Sequence, residues 1–223
     1  MKPHHLAPYI DHTLLKPETS SVQIEKLCME AVEYGFYAVC VNSRFVELCQ
    51  TLLSGSSVKI ASVIGFPLGA TTTSTKVYEA QEAVKNGAHE IDVVISLGAI
   101  KENNWLYVQN DISQITKAVP QTIVKVIIET FLLSDEEKVK ACQACLFAGA
   151  QFVKTSTGFN GGGATVEDVL LMKKAVGGLA QVKASGGIKD LMTAEKMIAA
   201  GATRLGTSSG VLLVTDQKIQ GGY

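Results

Sequence analysis

Charge is scarce in this sequence: 18% of its 223 residues are charged, and the net charge is −1. A near-neutral chain offers no electrostatic footprint for nucleic acid or an anionic membrane, so both partners are excluded and any phosphate must be held locally. No apolar run approaches the ~20 residues of a membrane span. The N-terminus, from Met1 to Leu6, lacks the apolar stretch of a secretory signal. Five cysteines are an odd count with no framework spacing, which suits reduced thiols in a cytoplasm. His4, His5, His12 and His89 show no metal-ligand spacing, so no metal site is expected. No Pro/Gly/Ser linker or charge block marks a boundary. The chain therefore reads as one domain, residues 1–223, with 217–223 as a mobile tail.

Apolar residues are plentiful at 47%, enough for a large core. Short β-branched runs alternate with helical patterns from end to end. Strands are predicted near Tyr9–His12, Phe36–Val41, Val58–Ile64, Glu90–Ile95, Ile123–Ile128, Gln151–Thr155, Gln181–Ala184 and Arg204–Gly206. Between two of them Val77, Ala80, Ala83 and Val84 make an apolar helix face, with Lys76, Glu79, Glu82 and Lys85 expected toward water. Ser134 with Glu137 is a capping box, and Thr165 with Asp168 marks another helix start. Cys142 and Cys145 have redox spacing but lie on the apolar face of a helix, which reads as buried thiols. Eight continuous apolar strands with crossover helices imply a parallel sheet covered on its outside. Eight units of roughly 28 residues close into an α/β (β/α)8 TIM barrel more naturally than they form the rival, a doubly wound open sheet.

In such a barrel the active site is built from the C-terminal ends of the strands. The strand ends here carry Asp11-His12-Thr13, Cys40-Val41-Asn42, Gly65-Phe66-Pro67, Asp92, Glu129-Thr130, Lys154, Lys183-Ala184-Ser185-Gly186-Gly187 and Gly206-Thr207-Ser208-Ser209-Gly210. Charges and hydroxyls converge on one rim. Loops after the seventh and eighth strands commonly hold phosphate, so Gly186, Gly187, Ser208 and Ser209 are the candidate anion site. Gly158 to Gly163 resembles a phosphate loop but lacks the lysine that motif requires.

Lys154 closes a buried strand, where a long mobile cation needs a reason. Lys183 lies on the next predicted strand at the same depth. An ordinary lysine is about 0.04% free amine at pH 7. Burial together with a neighbouring ammonium lowers a lysine pKa by ~3 units, enough to make an amine nucleophile. Asp92, among Ile91, Val93 and Val94, stands where a core prefers an apolar residue and is placed to relay protons or to offset an ammonium. Lys125 is a rival nucleophile, or pairs structurally with Glu129, which shares its parity. Spacing alone does not choose between Lys154 and Lys183.

Seven motifs in order resemble the deoxyribose-phosphate aldolase family, class I aldolases on a (β/α)8 barrel. They are Ile10–Lys16, Val39–Asn42, Val63–Gly69, Glu90–Val94, Lys154–Gly158, Lys183–Gly187 and Gly206–Ser208. The resemblance implies that Lys154 is the Schiff-base nucleophile, that Asp92 relays protons and that Lys183 perturbs Lys154 and supports the relay. Asp11, Thr13, Cys40 and Thr157 become possible accessory residues. Tyr223 resembles a tail tyrosine that reaches the active site in some members. Some branches carry a lysine where this chain has Phe159, which puts one phosphate contact in doubt. The implied reaction is reversible cleavage of 2-deoxy-D-ribose 5-phosphate to acetaldehyde and D-glyceraldehyde 3-phosphate, in deoxyribonucleoside catabolism. It needs no cofactor. Its partners are a phosphosugar and aldehydes, together with further copies of the chain, a dimer first, since barrels of this size often pair through outer helices. The alternatives are a transaldolase-like Schiff-base enzyme and a non-catalytic phosphosugar-binding barrel.

Overall fold

The computed structural model describes residues 4–215. Eight parallel strands follow one another in chain order, and the eighth pairs back onto the first to close a barrel. They are β1 (Ile10–Leu14), β2 (Ala38–Asn42), β3 (Lys59–Ile64), β4 (Glu90–Val94), β5 (Ile123–Ile127), β6 (Phe152–Lys154), β7 (Gln181–Ser185) and β8 (Arg204–Thr207). Every predicted strand is present, and the open-sheet alternative is excluded by closure. The intervening helices are α1 (Ser21–Tyr34), α2 (Val46–Leu52), α3 (Thr73–Lys85), α4 (Leu97–Lys101), α5 (Trp105–Ala118), α6 (Asp135–Phe147), α7 (Val166–Val176), α8 (Leu191–Ala199) and α9 (Gly210–Thr215). Residues 217–223, Tyr223 among them, lie outside the described residues.

Period-two alternation sorts the strand residues into two environments. Ile10, Val39, Ile60, Ile91, Val124, Val153, Val182 and Leu205 join one continuous apolar cluster with the helices. Their neighbours turn inward. A separate small cluster of Leu15, Cys40, Ala61 and Val63, with Phe66 against it, fills one side of the interior. The other side is ionic. Apolar burial outside the barrel supplies the driving force, about 25 cal/mol per Å2 removed from water, and leaves the interior free to hold charge.

Helix starts follow local chemistry. Ser134 accepts from the Glu137 amide, and the Glu137 carboxylate accepts from the Ser134 amide, completing the expected capping box on α6. Thr165 Oγ accepts the Asp168 amide at 3.0 Å and opens α7. The Cys142 and Cys145 thiols are buried, and desolvation pushes Cys142 up to about 12, so both are inert packing groups.

The expected polar face of α3 needs correction. Lys76 does not face water: it is fully buried and its Nζ lies 2.7 Å from Asp111 Oδ2 on α5, while Thr73 Oγ donates to Asp111 Oδ1 at 2.7 Å. Helix α5 packs along α3 and covers that side. Glu79 also turns inward, accepting the Gly65 amide at 2.8 Å just beyond β3.

Candidate active site

The inward side chains of the ionic half interlock. Lys154 on β6 and Lys183 on β7 are register partners, so the two ammonium groups come from equal depth. Both donate to the same atom, Asp92 Oδ2 on β4, each at 2.8 Å. Lys125, the register partner of Asp92, donates to the other oxygen, Oδ1, at 2.7 Å. Asp11 on β1 accepts from Lys183 and, through Oδ1, from Arg204 at 2.9 Å. Glu90 lies 2.6 Å from Lys125 Nζ and 3.1 Å from Arg204. All seven groups are buried.

Each lysine thus has a different number of partners within 4.0 Å. Among the described residues Lys125 reaches Glu90, Asp92 and Asp11; Lys183 reaches Asp11 and Asp92; Lys154 reaches Asp92 alone. Lys154 is also the one that ends its strand and turns directly into the loop at the barrel mouth.

Above this layer a cavity of about 390 Å3 opens at the C-terminal face, lined by residues of β1, β7 and β8 and of the loops after β1, β6, β7 and β8, including Thr13, Thr157, Phe159, Gly186, Gly187 and Ser208. Gly186 and Gly187 both have positive φ, +87° and +78°, which turns the backbone at the rim. A Cβ on Gly186 would stand 3.0 Å from the Gly163 Cα, so the glycine also lets two loops touch. Ser209 does not fit its expected part: its amide donates to Thr207 Oγ at 2.9 Å and it is absent from the cavity lining. Phe159 takes the rim position and meets Phe66 edge-to-face, centroids 5.2 Å apart.

Three polar residues of the strand ends stay out of the ionic layer. His12 points out of the barrel and binds Glu30 Oε2 at 2.7 Å through Nε2. Glu129 is not a strand residue paired to Lys125; it follows β5 at φ 57° and turns toward the next loop. There its buried carboxylate accepts from the Thr157 amide and hydroxyl and from Asn160 Nδ2 at 2.8 Å. Asn42 donates to the Leu15 carbonyl at 3.2 Å, holding the loop after β1. Cys40 does face the ionic layer, its Sγ 3.9 Å from Asp92 Oδ2, and burial pushes its thiol up.

Residues 6–213 match the model of the DeoC/LacD family aldolases. The chain belongs to this aldolase family. A deoxyribose-phosphate aldolase of Bdellovibrio bacteriovorus is 58% identical over 218 residues, 98% of this chain and 99% of its own. One of Natranaerobius thermophilus is 58% identical over 96% of this chain and 98% of its own. Among solved structures, an aldolase described as QR15 superposes with a TM-score of 0.90 at 47% identity, covering 93% of each chain. A deoxyribose-phosphate aldolase of Aeropyrum pernix, described as a tetramer, superposes at 0.87 with 36% identity over 92% of this chain and 88% of its own.

In this aldolase the electrostatics of the layer follow from burial opposed by pairing. Desolvation pushes Asp92 up, but Lys125, Lys154 and Lys183 together hold it well below the usual carboxylate range. Asp11 is likewise held low, by Lys183, Lys125 and Arg204 against desolvation. Desolvation disfavours the Lys183 ammonium, yet Asp11 and Asp92 raise its pKa above the usual lysine value, so it stays a cation. Sequence reading found Asp92, Lys154 and Lys183 but passed over Glu90 and Arg204. The signal was available: Glu90 is two residues before Asp92 and Arg204 two before Gly206, which places both on the inward face. It also passed over Ser156, whose hydroxyl is buried without a protein partner two residues beyond Lys154.

Proposed function

We propose that this aldolase reversibly cleaves 2-deoxy-D-ribose 5-phosphate through a Schiff base on Lys154, within deoxyribonucleoside catabolism. The observation that carries the reading is the sharing of Asp92 Oδ2 by Lys154 and Lys183, with Lys154 reaching no second carboxylate among the described residues. The names of the relatives supply the substrate class.

Neutral Lys154 Nζ adds to the C1 aldehyde of the open-chain sugar, and loss of water from the carbinolamine leaves an iminium. The 3-hydroxyl then gives up its proton, its oxygen forms the new carbonyl, and the C2–C3 electron pair flows into the iminium. Glyceraldehyde 3-phosphate departs and an enamine remains. Protonation at C2 and hydrolysis release acetaldehyde and the free lysine. Asp92 moves protons at the hydroxyl and at C2, through water. Lys183, held as an ammonium by Asp11 and Asp92, shares the Asp92 oxygen with Lys154 and supports the relay. Asp11 fixes Lys183, and Cys40 adds a small apolar wall beside Asp92. Thr13 and Thr157 line the sugar's path.

The phosphate lies against Gly186, Gly187 and Ser208, where backbone amides and a hydroxyl converge at the rim. Ser209, whose amide donates to Thr207 Oγ, stands next to this site without lining it. The chain works as a homo-oligomer, a reading supported by the tetrameric relative. Lys154→Ala decides the nucleophile: cleavage should fall by at least ~10^4-fold while the unfolding transition persists, since the covalent route is lost. Substantial residual turnover would move the nucleophile elsewhere.

A further inference from the structure

Beneath the catalytic lysine lies a pair of charges that cannot touch substrate. Arg204 and Glu90 open β8 and β4, at the end of the barrel opposite the mouth cavity. Each is buried, and each is tied upward into the layer. Glu90 reaches Lys125, which reaches Asp92 Oδ1, whose other oxygen holds Lys154; Arg204 reaches Asp11, which holds Lys183. Arg204 is further fixed by the Tyr37 ring, 3.4 Å below its guanidinium carbon.

The charges of this enclosure can be counted strand by strand among the described residues. β1 supplies Asp11, β4 supplies Glu90 and Asp92, β5 Lys125, β6 Lys154, β7 Lys183 and β8 Arg204. β2 contributes the thiol of Cys40, which burial keeps protonated, and the inward residues of β3 are Ala61 and Val63. Lys59 and His89 stand at the exposed rim next to Glu90, where water screens them. Three carboxylates therefore pair with four cations, while the buried Glu129 carboxylate is taken up by Thr157 and Asn160 outside these contacts. One positive charge is in surplus among buried groups, and the layer becomes neutral when one lysine gives up its proton.

We propose that Glu90 and Arg204 are positioning residues that set this surplus, and with it the pH at which Schiff-base formation at Lys154 switches on. The inference rests on Lys154 being the nucleophile. Its physical content is a sign. Removing the Glu90 charge adds to the surplus and favours a neutral amine, which moves the acid limb to lower pH. Removing the Arg204 charge cancels the surplus and moves that limb to higher pH. Damage to the fold alone would lower the amplitude of both variants without sending their pH profiles in opposite directions.

The test is the rate of acetaldehyde trapping by cyanoborohydride on Lys154, followed by peptide mass spectrometry across pH in the full-length protein. Glu90→Gln should shift the acid limb down and Arg204→Gln should shift it up, each by about one pH unit, the size of a unit charge acting across the layer. The charge-conserving variants Glu90→Asp and Arg204→Lys should keep the wild-type limb. Each pair decides alone, so loss of one variant to misfolding leaves the other. Limbs that do not move with charge, or that move the same way in both Gln variants, overturn the inference while leaving Lys154 as the nucleophile. No Lys154 adduct in the wild type at any pH overturns the underlying function and this inference with it.

Discussion

The residue that makes the lysine pair possible carries no side chain. Gly206 on β8 sits beside Lys183, and a Cβ there would fall 2.5 Å from Ser185 Oγ and 3.1 Å from Lys183 Cε. Gly206→Ala must therefore push Lys183 away from Asp11 and Asp92. We expect kcat to fall at least tenfold with a stability loss of about 1–3 kcal/mol, as for other overpacked interiors; kinetics and chemical denaturation check both. Two residues beyond Gly206, Ser208 is exposed in the lining of the mouth cavity. Ser208→Asp would place a carboxylate against the substrate phosphate. KM for deoxyribose 5-phosphate should rise about tenfold or more, while the constants for unphosphorylated deoxyribose stay near wild type. Equal effects on the two sugars would remove the phosphate from this loop.

At the scale of elements, the barrel is held by helices whose contacts are less uniform than their patterns suggest. The α3–α5 junction contains a buried ion pair, Lys76 with Asp111, at 2.7 Å. Removing one member leaves an uncompensated charge, so Lys76→Met should destabilise by about 3–5 kcal/mol, while Lys76→Met with Asp111→Leu should recover most of that loss. Denaturant unfolding of the two variants and the wild type measures this. The same junction shows why sequence reading erred there. Helical periodicity gives the direction of Lys76 on α3, but only tertiary packing says that α5 stands in that direction. Strand periodicity was more informative, because in a closed barrel inward and outward are fixed by parity alone. Asp92, Lys154 and Lys183 were legible as charges set in or closing buried apolar strands, and the choice of Lys154 over Lys183 came from the family resemblance. Glu129 was misplaced because its parity was read past the end of β5, where a residue at φ 57° breaks the alternation. His12 was placed on the rim by nearness to Asp11, although its parity already pointed it outward.

For the whole molecule, the ionic interior links stability to pH. Asp92 and Asp11 titrate lower in the folded protein than in the unfolded chain. Their contribution is complete above the unfolded aspartate value and is lost as pH falls through the folded values, so Tm should drop steeply below about pH 4. His12 is also depressed, because burial disfavours its charged form although Glu30 opposes this. The unfolded chain therefore binds its proton first, and a smaller loss should begin as pH falls below about 6.5. Lys183 is raised, so its contribution is complete below the unfolded lysine value and is lost only as pH rises through the higher folded one. Scanning calorimetry from pH 3 to pH 8 should show a shallow decline and then a steep one. A flat profile through pH 4 would mean that the interior carboxylates are not ionised as their partners imply.

The central claim is that Lys154, among three buried lysines gathered around one carboxylate, forms the bond to substrate. Incubation with acetaldehyde and borohydride, followed by peptide mass spectrometry, tests it most directly. A reduced two-carbon adduct on Lys154 is the expected result. An adduct on Lys183 or Lys125 instead, or none in folded protein that binds deoxyribose 5-phosphate, would contradict it.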